Sequence, residues 1–378
     1  MIRNVHIKKF LVNCCFPLLS ALNKTVKKDK NVIFIYCANN RLADNSYVLY
    51  KYLMDNGYDA KYKIVVGGAE NEVPDADRAS FIGRKKCIMQ YMKSGHVFYS
   101  QGKIPIKPSK NQCVINMWHG TPLKKIAKLS NLNNGEEFFF TYLCASSEMI
   151  KHIMAKAFGC PEENVFINGE PKSDLLFQQK AERKRKLIVW TPTFRQSEFL
   201  GYNNSSNTDL LPLFSNEQWD SLNNKLTDLD LDMIVKLHAG QDLHGFYFKE
   251  FSNLKIYSDK AFAGDGLELW SLLSQSDALM TDYSSVYLNY LLVNRPICFV
   301  VPDMDEYAES RGFVFDDPIK YMPGKIVKDA DSFFEFLEDF RNGHDDFEEQ
   351  RVQVNDVINY YKDGNCCRRV LERSGIVL

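Results

Sequence analysis

Short unbroken apolar runs alternate with stretches of helical periodicity along almost the whole chain. "NVIFIYCA" (31–38), "AKYKIVVGG" (60–68), "HVFYSQG" (96–102), "QCVINMWHG" (112–120), "TYLCASS" (141–147) and "NVFINGEP" (164–171) form one series. A strand buried on both faces reads as such a run, and strands of this kind joined by helices build a parallel sheet. Between the runs lie "SYVLYKYLMDNG", closing on Gly57, "KKCIMQYMKSG", closing on Gly95, and "EMIKHIMAKAFG"; each reads as a helix stopped by its glycine. After the charged run "QQKAERKRK" (178–186) the pattern restarts. "LIVWTPTF", "LDMIVKLHAG", "LKIYSD", "DALMTDYSS" and "RPICFVVPD" supply strands, with "LELWSLLSQS" and "SVYLNYLLVN" as helices between them.

The pattern predicts two α/β domains, each a doubly wound parallel sheet. A length of 378 residues agrees, at about 150 residues per domain. The expected division is a basic amphipathic segment (1–30), an N-terminal Rossmann-like domain (31–180), a C-terminal Rossmann-like domain (181–345) and a helical C-terminal segment (346–378). The polar insert "RQSEFLGYNNSSNTD" (195–209) reads as a surface loop.

A formal charge of −1 gives no global attraction to nucleic acid, so charge-driven binding has to be local. The ten cysteines are scattered and form no C-x-x-C, which argues for reduced thiols rather than a disulfide framework or a zinc site. At the N-terminus, Phe10, Leu11, Phe16, Leu18 and Leu19 form an apolar centre beside Lys24, Lys27, Lys28 and Lys30. The run is too short to span a bilayer, which takes about 20 residues. It reads either as an interfacial membrane contact or as a helix packed on the protein's own surface.

In parallel α/β sheets ligands collect at the carboxyl ends of the strands, and polar clusters fall there repeatedly. "WHGTP" carries His119, Gly120 and Thr121, with Pro122 suited to the first turn of a following helix. "TPTFR" ends in Arg195, and in "KLHAG" Lys236 and His238 share a face if the strand persists. "TDYSS" carries Thr281, Asp282, Ser284 and Ser285; Asp282 or Ser284 can cap the next helix, whose start would either be simply capped or cradle a phosphate. One imidazole free to accept a proton and another held cationic would suit phosphoryl or glycosyl transfer. Lys236 adds a point charge for a phosphate, and Arg311 of "ESRGF" offers a guanidinium or an ordinary surface ion pair. The remaining histidines, His6, His96, His152, His244 and His344, lack such settings. Asp303-Met304-Asp305 is a D-x-D string, but it lies in the acidic run "PDMDEYAE" and reads as the first turn of a helix. No metal site, Walker A loop or G-x-G-x-x-G is present, and no cofactor is implied.

Taken together, "HGTPLKKI", "PTFR", "KLH", "MTDYSSVYLNYLL", "RPICFVVPDMDEYAESRGF" and "PGKIV", with "NSYVLYKYL" and "NGEPKSD" earlier, resemble the CDP-glycerol glycerophosphotransferase family of bacteria, the teichoic-acid primases and polymerases. The resemblance runs in order from about residue 31 to residue 340. It implies a GT-B arrangement of two Rossmann-like domains facing a cleft, the first on the acceptor side and the second holding the donor nucleotide. It further implies metal-independent transfer of glycerol phosphate or ribitol phosphate from a CDP-alditol to a hydroxyl of a lipid-linked glycan or growing polymer. CMP leaves, at the cytoplasmic face of the cell membrane. By the same resemblance His119 is the base, His238 stabilises phosphate charge, and Thr281, Ser284, Ser285, Lys236 and Arg311 lie near the donor phosphates. Asp282 and Arg195 are grouped with them. Lys172 stands where the family commonly has Arg, and Ala239 where proline is frequent. Two other readings are a GT-B glycosyltransferase using a nucleotide sugar such as CMP-sialic acid, and a non-catalytic scaffold in envelope assembly. No role in binding nucleic acid is expected.

Overall fold

A computed structural model of the chain describes residues 11–71, 73–130, 137–195, 209–241, 243 and 249–378. Phe10, His6, His244 and most of the polar insert lie outside the described residues. The chain forms two compact units. The first comprises Met1–Gly120, Leu132–Asp174 and Asp363–Leu378, and the second Thr121–Asn131 and Leu175–Lys362. Each is built on one parallel sheet, as the alternating pattern predicts.

In the first unit the strands are β1 (Asp29–Tyr36), β2 (Lys63–Gly67), β3 (Ser80–Ile82), β4 (Ser94–Tyr99), β5 (Cys113–Asn116), β6 (Tyr142–Ala145) and β7 (Val165–Ile167). They lie in the order β3-β2-β1-β4-β5-β6-β7, all pairs parallel. Ile33, Phe34 and Ile35 of β1 are buried, as an inner strand covered on both faces requires. One face holds Phe34, Val65, Val97 and Val114 against Cys87, Tyr91 and Met92 of the helix Arg84–Lys93. That helix does not end on Gly95. It passes directly into β4, where Gly95 lies so close to β1 that a Cβ would sit 2.8 Å from the Asp29 carbonyl oxygen. The helix Glu148–Phe158 is capped by the Ser147 hydroxyl and closed by Gly159 at φ 61°.

The second unit carries β8 (Lys186–Thr191), β9 (Leu231–Lys236), β10 (Leu254–Tyr257), β11 (Ala278–Thr281), β12 (Ile297–Val300) and β13 (Lys325–Val327), in the order β10-β9-β8-β11-β12-β13. The strand order reverses between β8 and β11, where Thr191 pairs with Thr281. Trp190 is fully buried and packs against Phe214 and Phe333, whose ring centroids lie 6.4 Å and 5.3 Å away. Phe333, Phe336, Leu337 and Phe340 supply the i, i+3, i+4, i+7 stripe that seats the helix Ala330–Asn342 on this core.

Three local expectations give way. No α-helix follows "WHGTP": Leu123, Lys125 and the segment 312–314 exchange backbone hydrogen bonds, Lys125 N–H to Gly312 O and Val314 N–H to Leu123 O, before a short 3₁₀ turn at Ala127–Leu129. β9 ends at Lys236, so His238 stands in a turn instead of sharing a strand face with Lys236. Lys28 does not face outward with the other N-terminal lysines. Its ammonium folds onto the carbonyl oxygens of Asn23 and Met92, and partial burial lowers its pKa to about 8.

Candidate active site

The carboxyl ends of β4, β5 and β7 bring together the polar groups of the first unit. β5 ends at Asn116, and three residues further on the chain presents His119. Its Nδ1 lies 3.3 Å from the carbonyl oxygen of Ser100, just past β4. A carbonyl only accepts, so Nδ1 carries the proton and Nε2 keeps a lone pair. His119 is exposed, yet protein crowds the ring. Desolvation holds its pKa below the ordinary 6.5; Asp44 opposes that shift and Lys172 adds to it. A neutral imidazole with an outward lone pair is the form of a general base.

Behind His119 lies a buried frame. Lys172 sits in the 3₁₀ segment Pro171–Phe177 that follows β7, with its side chain 4% exposed. It pairs with Glu170 at 3.0 Å and donates to the carbonyl oxygen of His119 at 2.8 Å. Lys172, expected at the donor, holds the His119 backbone here. Asn45, from the helix Asp44–Asp55, is fully buried among the same residues. Gly120 and Thr121 are both buried and flank the division between the units.

In the second unit the sequence scattered its clues and the fold gathers them at the β8/β11 reversal. Arg195 is 2% exposed and forms ion pairs with Asp282 at 2.6 Å and Asp303 at 2.7 Å. Asp282 also accepts from the Thr193 N–H at 2.9 Å and its hydroxyl at 3.0 Å, and the Tyr283 hydroxyl donates to Asp303 at 2.8 Å. Burial alone works against charge on Arg195, but the two carboxylates reverse that and hold its pKa above the ordinary value. Burial and Asp303 raise that of Tyr283. Asp282 thus caps no helix, and the Arg195 guanidinium is held by two protein carboxylates. The following helix, Val286–Tyr290, starts after Ser285, which makes no side-chain cap, while the Ser284 hydroxyl accepts the Val286 N–H at 3.4 Å. Thr281 is likewise internal, donating to the Thr191 carbonyl at 3.0 Å. Ser284 and Ser285 are the half-exposed hydroxyls of this loop. Asp303 flanks the helix Met304–Arg311, whose first turn is acidic, as the sequence suggested, and Arg311 closes its last turn.

His238 is exposed, with its ring 5.1 Å from that of Phe194. Its Nδ1 accepts the Gly240 N–H at 2.9 Å. A backbone N–H only donates, so the neutral ring carries its proton on Nε2, the opposite tautomer to His119. Desolvation, then Lys124 and Lys236, push its pKa down to about 4, with Asp282 and Asp259 offsetting part of that. Against the expectation of a cationic second histidine, two nearby ammonium groups and desolvation of the ring favour its neutral form. It is an uncharged N–H donor. Lys236 pairs with Asp259 at 2.6 Å. Among the described residues no group of three His, Cys, Asp or Glu side chains is arranged to hold a metal ion.

Asn45 and Asp303 are the functional residues that the sequence pattern does not single out. One signal was present for Asn45, a polar residue in the first turn of a helix whose middle is largely apolar and aromatic. For Asp303 none was, because its partner lies 108 residues away.

The family model described as CDP-Glycerol:Poly(glycerophosphate) glycerophosphotransferase matches residues 18–374. A teichoic acid poly(glycerol phosphate) polymerase of Bacillus spizizenii is 24% identical over 92% of this chain and 92% of its own. A teichoic acid glycerol-phosphate transferase of Staphylococcus aureus is 24% identical over 98% of this chain and 99% of its own. Among solved structures, that of the wall teichoic acid polymerase TagF superposes with a TM-score of 0.72 at 20% identity, covering 98% of this chain and 95% of the other. A putative UDP-N-acetylglucosamine 2-epimerase from Listeria monocytogenes gives 0.53 at 12% identity, over 91% of this chain and 95% of its own. The fold is therefore of the GT-B-like class, with two Rossmann-like domains.

Proposed function

Since the chain belongs to the CDP-glycerol:poly(glycerophosphate) glycerophosphotransferase family, we propose that it transfers an alditol phosphate from CDP-glycerol or CDP-ribitol to a hydroxyl of a lipid-linked glycan or growing teichoic-acid-type polymer. The observation that carries this reading is the opposed pair of tautomers: Nδ1 of His119 donates to a carbonyl, and Nδ1 of His238 accepts from an N–H. Nε2 of His119 takes the proton of the acceptor hydroxyl as that oxygen attacks the alditol-bearing phosphorus. The bond from this phosphorus to the bridging oxygen breaks, and the electron pair leaves with CMP. His238 meets the charge gathering on phosphate oxygens by donating Nε2–H, with no charge of its own to neutralise. Ser284, Ser285, Lys236 and Arg311 are the remaining donor-side groups.

The test is release of CMP by the purified protein, given CDP-glycerol, CDP-ribitol and CMP-sialic acid separately with a membrane-lipid acceptor extract, with and without EDTA. Release from one CDP-alditol, unaffected by EDTA, supports the reading and names the alditol. Turnover with the CMP-sugar alone would make the protein a glycosyltransferase.

The acceptor being lipid-linked, the reading includes peripheral attachment to the cytoplasmic face of the membrane. No helix among the described residues is long and apolar enough to cross a membrane. On the helix Phe16–Asn23, Leu19 packs against the protein core while Leu18 and Leu22 are 64% and 47% exposed, beside exposed Lys24 and Lys27. Exposed leucines next to ammonium groups suit an anionic lipid surface. Burying a leucine is worth about 1.5–3 kcal/mol. Replacing Leu18 and Leu22 together by glutamate is expected to weaken flotation with anionic vesicles by at least about tenfold. Unchanged flotation would remove this contact from the reading.

A further inference from the structure

The backbone that presents His119 is bent in a way few residues tolerate. Trp118 has φ 55°, the left-handed region that a bulky aromatic side chain avoids. Such a residue is held at a cost in backbone strain and persists only where its surroundings over-determine it. Here they do. The Trp118 N–H donates to the Asn116 side chain at 2.9 Å. The Trp118 carbonyl accepts from Nδ2 of Asn45 at 2.9 Å, and the same Nδ2 lies 3.4 Å from the Met117 carbonyl oxygen. Oδ1 of Asn45 accepts the backbone N–H of Lys172 at 2.9 Å. The Lys172 ammonium then donates to the His119 carbonyl at 2.8 Å.

Three successive carbonyls, of Met117, Trp118 and His119, are thus held by Asn45 and Lys172. We propose that Asn45 is a positioning residue for the transfer reaction: its side-chain amide locks the strained bend at Trp118 so that His119 keeps Nδ1 on the Ser100 carbonyl and Nε2 toward the acceptor. This inference rests on the reading of His119 as the base. The task calls for an amide. One end donates to carbonyls and the other accepts an N–H, within a single rigid plane. An aspartate would keep the acceptor but set a carboxylate against two carbonyl oxygens, and an alanine would leave all these buried groups unpaired. Asn45 lies in the first turn of its helix and is fully buried, so its reach is fixed by packing.

The experiment is a double-mutant cycle on the full chain, read as CMP release from the CDP-alditol the protein uses. A displaced reacting group costs on the order of 10²-fold. Asn45→Ala is expected to lower kcat by about that factor with the donor KM unchanged, and to add no further loss in a His119→Ala background. If its loss is as large in the His119→Ala background as in the wild type, Asn45 acts independently of His119 and the proposal falls. Wild-type kcat in Asn45→Ala would also overturn it. Should Asn45→Ala fail to fold, Asn45→Asp and Lys172→Met are run through the same cycle against the same two outcomes. Wild-type turnover in His119→Ala itself would remove the base reading and this inference with it. A crippled His119→Ala with an additive Asn45 effect removes the inference alone.

Discussion

His119→Ala is expected to lower CMP release by about 10²–10⁴-fold, the usual contribution of a general base, with the protein still folded. The side chain is exposed, and its hydrogen bond, from Nδ1 to the Ser100 carbonyl, fixes orientation more than stability. A loss below about tenfold would leave His119 without the role of base. The pH profile supplies a second check, and its sign follows from the shift. A base works deprotonated, so the rate rises with pH and levels off above its pKa. Desolvation, reinforced by Lys172 and opposed by Asp44, places that pKa below 6.5. The acid limb of kcat/KM should therefore lie below pH 6.5, leaving the enzyme fully active at neutrality. A limb above 6.5 would contradict the desolvated environment described for His119.

The largest stability effect is expected at Asp282. It is fully buried, and its removal strips the acceptor from the Arg195 guanidinium, the Thr193 N–H and the Thr193 hydroxyl at once. Breaking a buried ion pair by deleting one partner costs about 3–5 kcal/mol, because the other charge stays buried. In a unit of this size that is a fall in Tm on the order of 10 °C. Asp55→Ala is the control: its pair with Lys51 is 44% and 50% exposed, and exposed pairs are worth about 1 kcal/mol or less. Equal effects from the two substitutions, measured by thermal or urea unfolding, would show that the Arg195 cluster does not hold the β8/β11 junction together.

Much of the architecture could be read from the chain because the inner strands are continuous apolar runs, as in β1 and β11, where burial on both faces leaves no alternation. β3 and β13 were not among the expected strands. Each is a three-residue edge strand, too short to show any period. "TPLKKI" has the proline of a helix start, yet its backbone groups pair with residues 312–314, a distant choice that local signals do not carry. The same holds at the candidate site. In the sequence Arg195, Asp282 and Asp303 read singly as a phosphate contact, a cap and a helix start. Only the fold shows that they form one cluster, joined across 87 and 108 residues of chain. The tautomers of His119 and His238 were equally hidden, since each depends on the backbone group that happens to face Nδ1.

The first unit is discontinuous in a way that bears on how the protein is made. Its last element, the helix Cys366–Arg373, docks with the N–H groups of Cys366 and Cys367 on the Asp174 carboxylate, both at 2.8 Å, and with Arg369 on the Asn168 carbonyl at 3.1 Å. A chain synthesised from its N-terminus at about 5–20 residues per second has all of β1–β7 outside the ribosome long before that helix exists. The sheet bearing His119 must wait, one flank uncovered, while the whole of β8–β13 is translated. The second unit, whose chain ends at Lys362, has no such dependence. The unit that holds His119 is therefore the last to be finished, and nascent chains stalled before residue 366 would carry a complete second sheet and an unsealed first one.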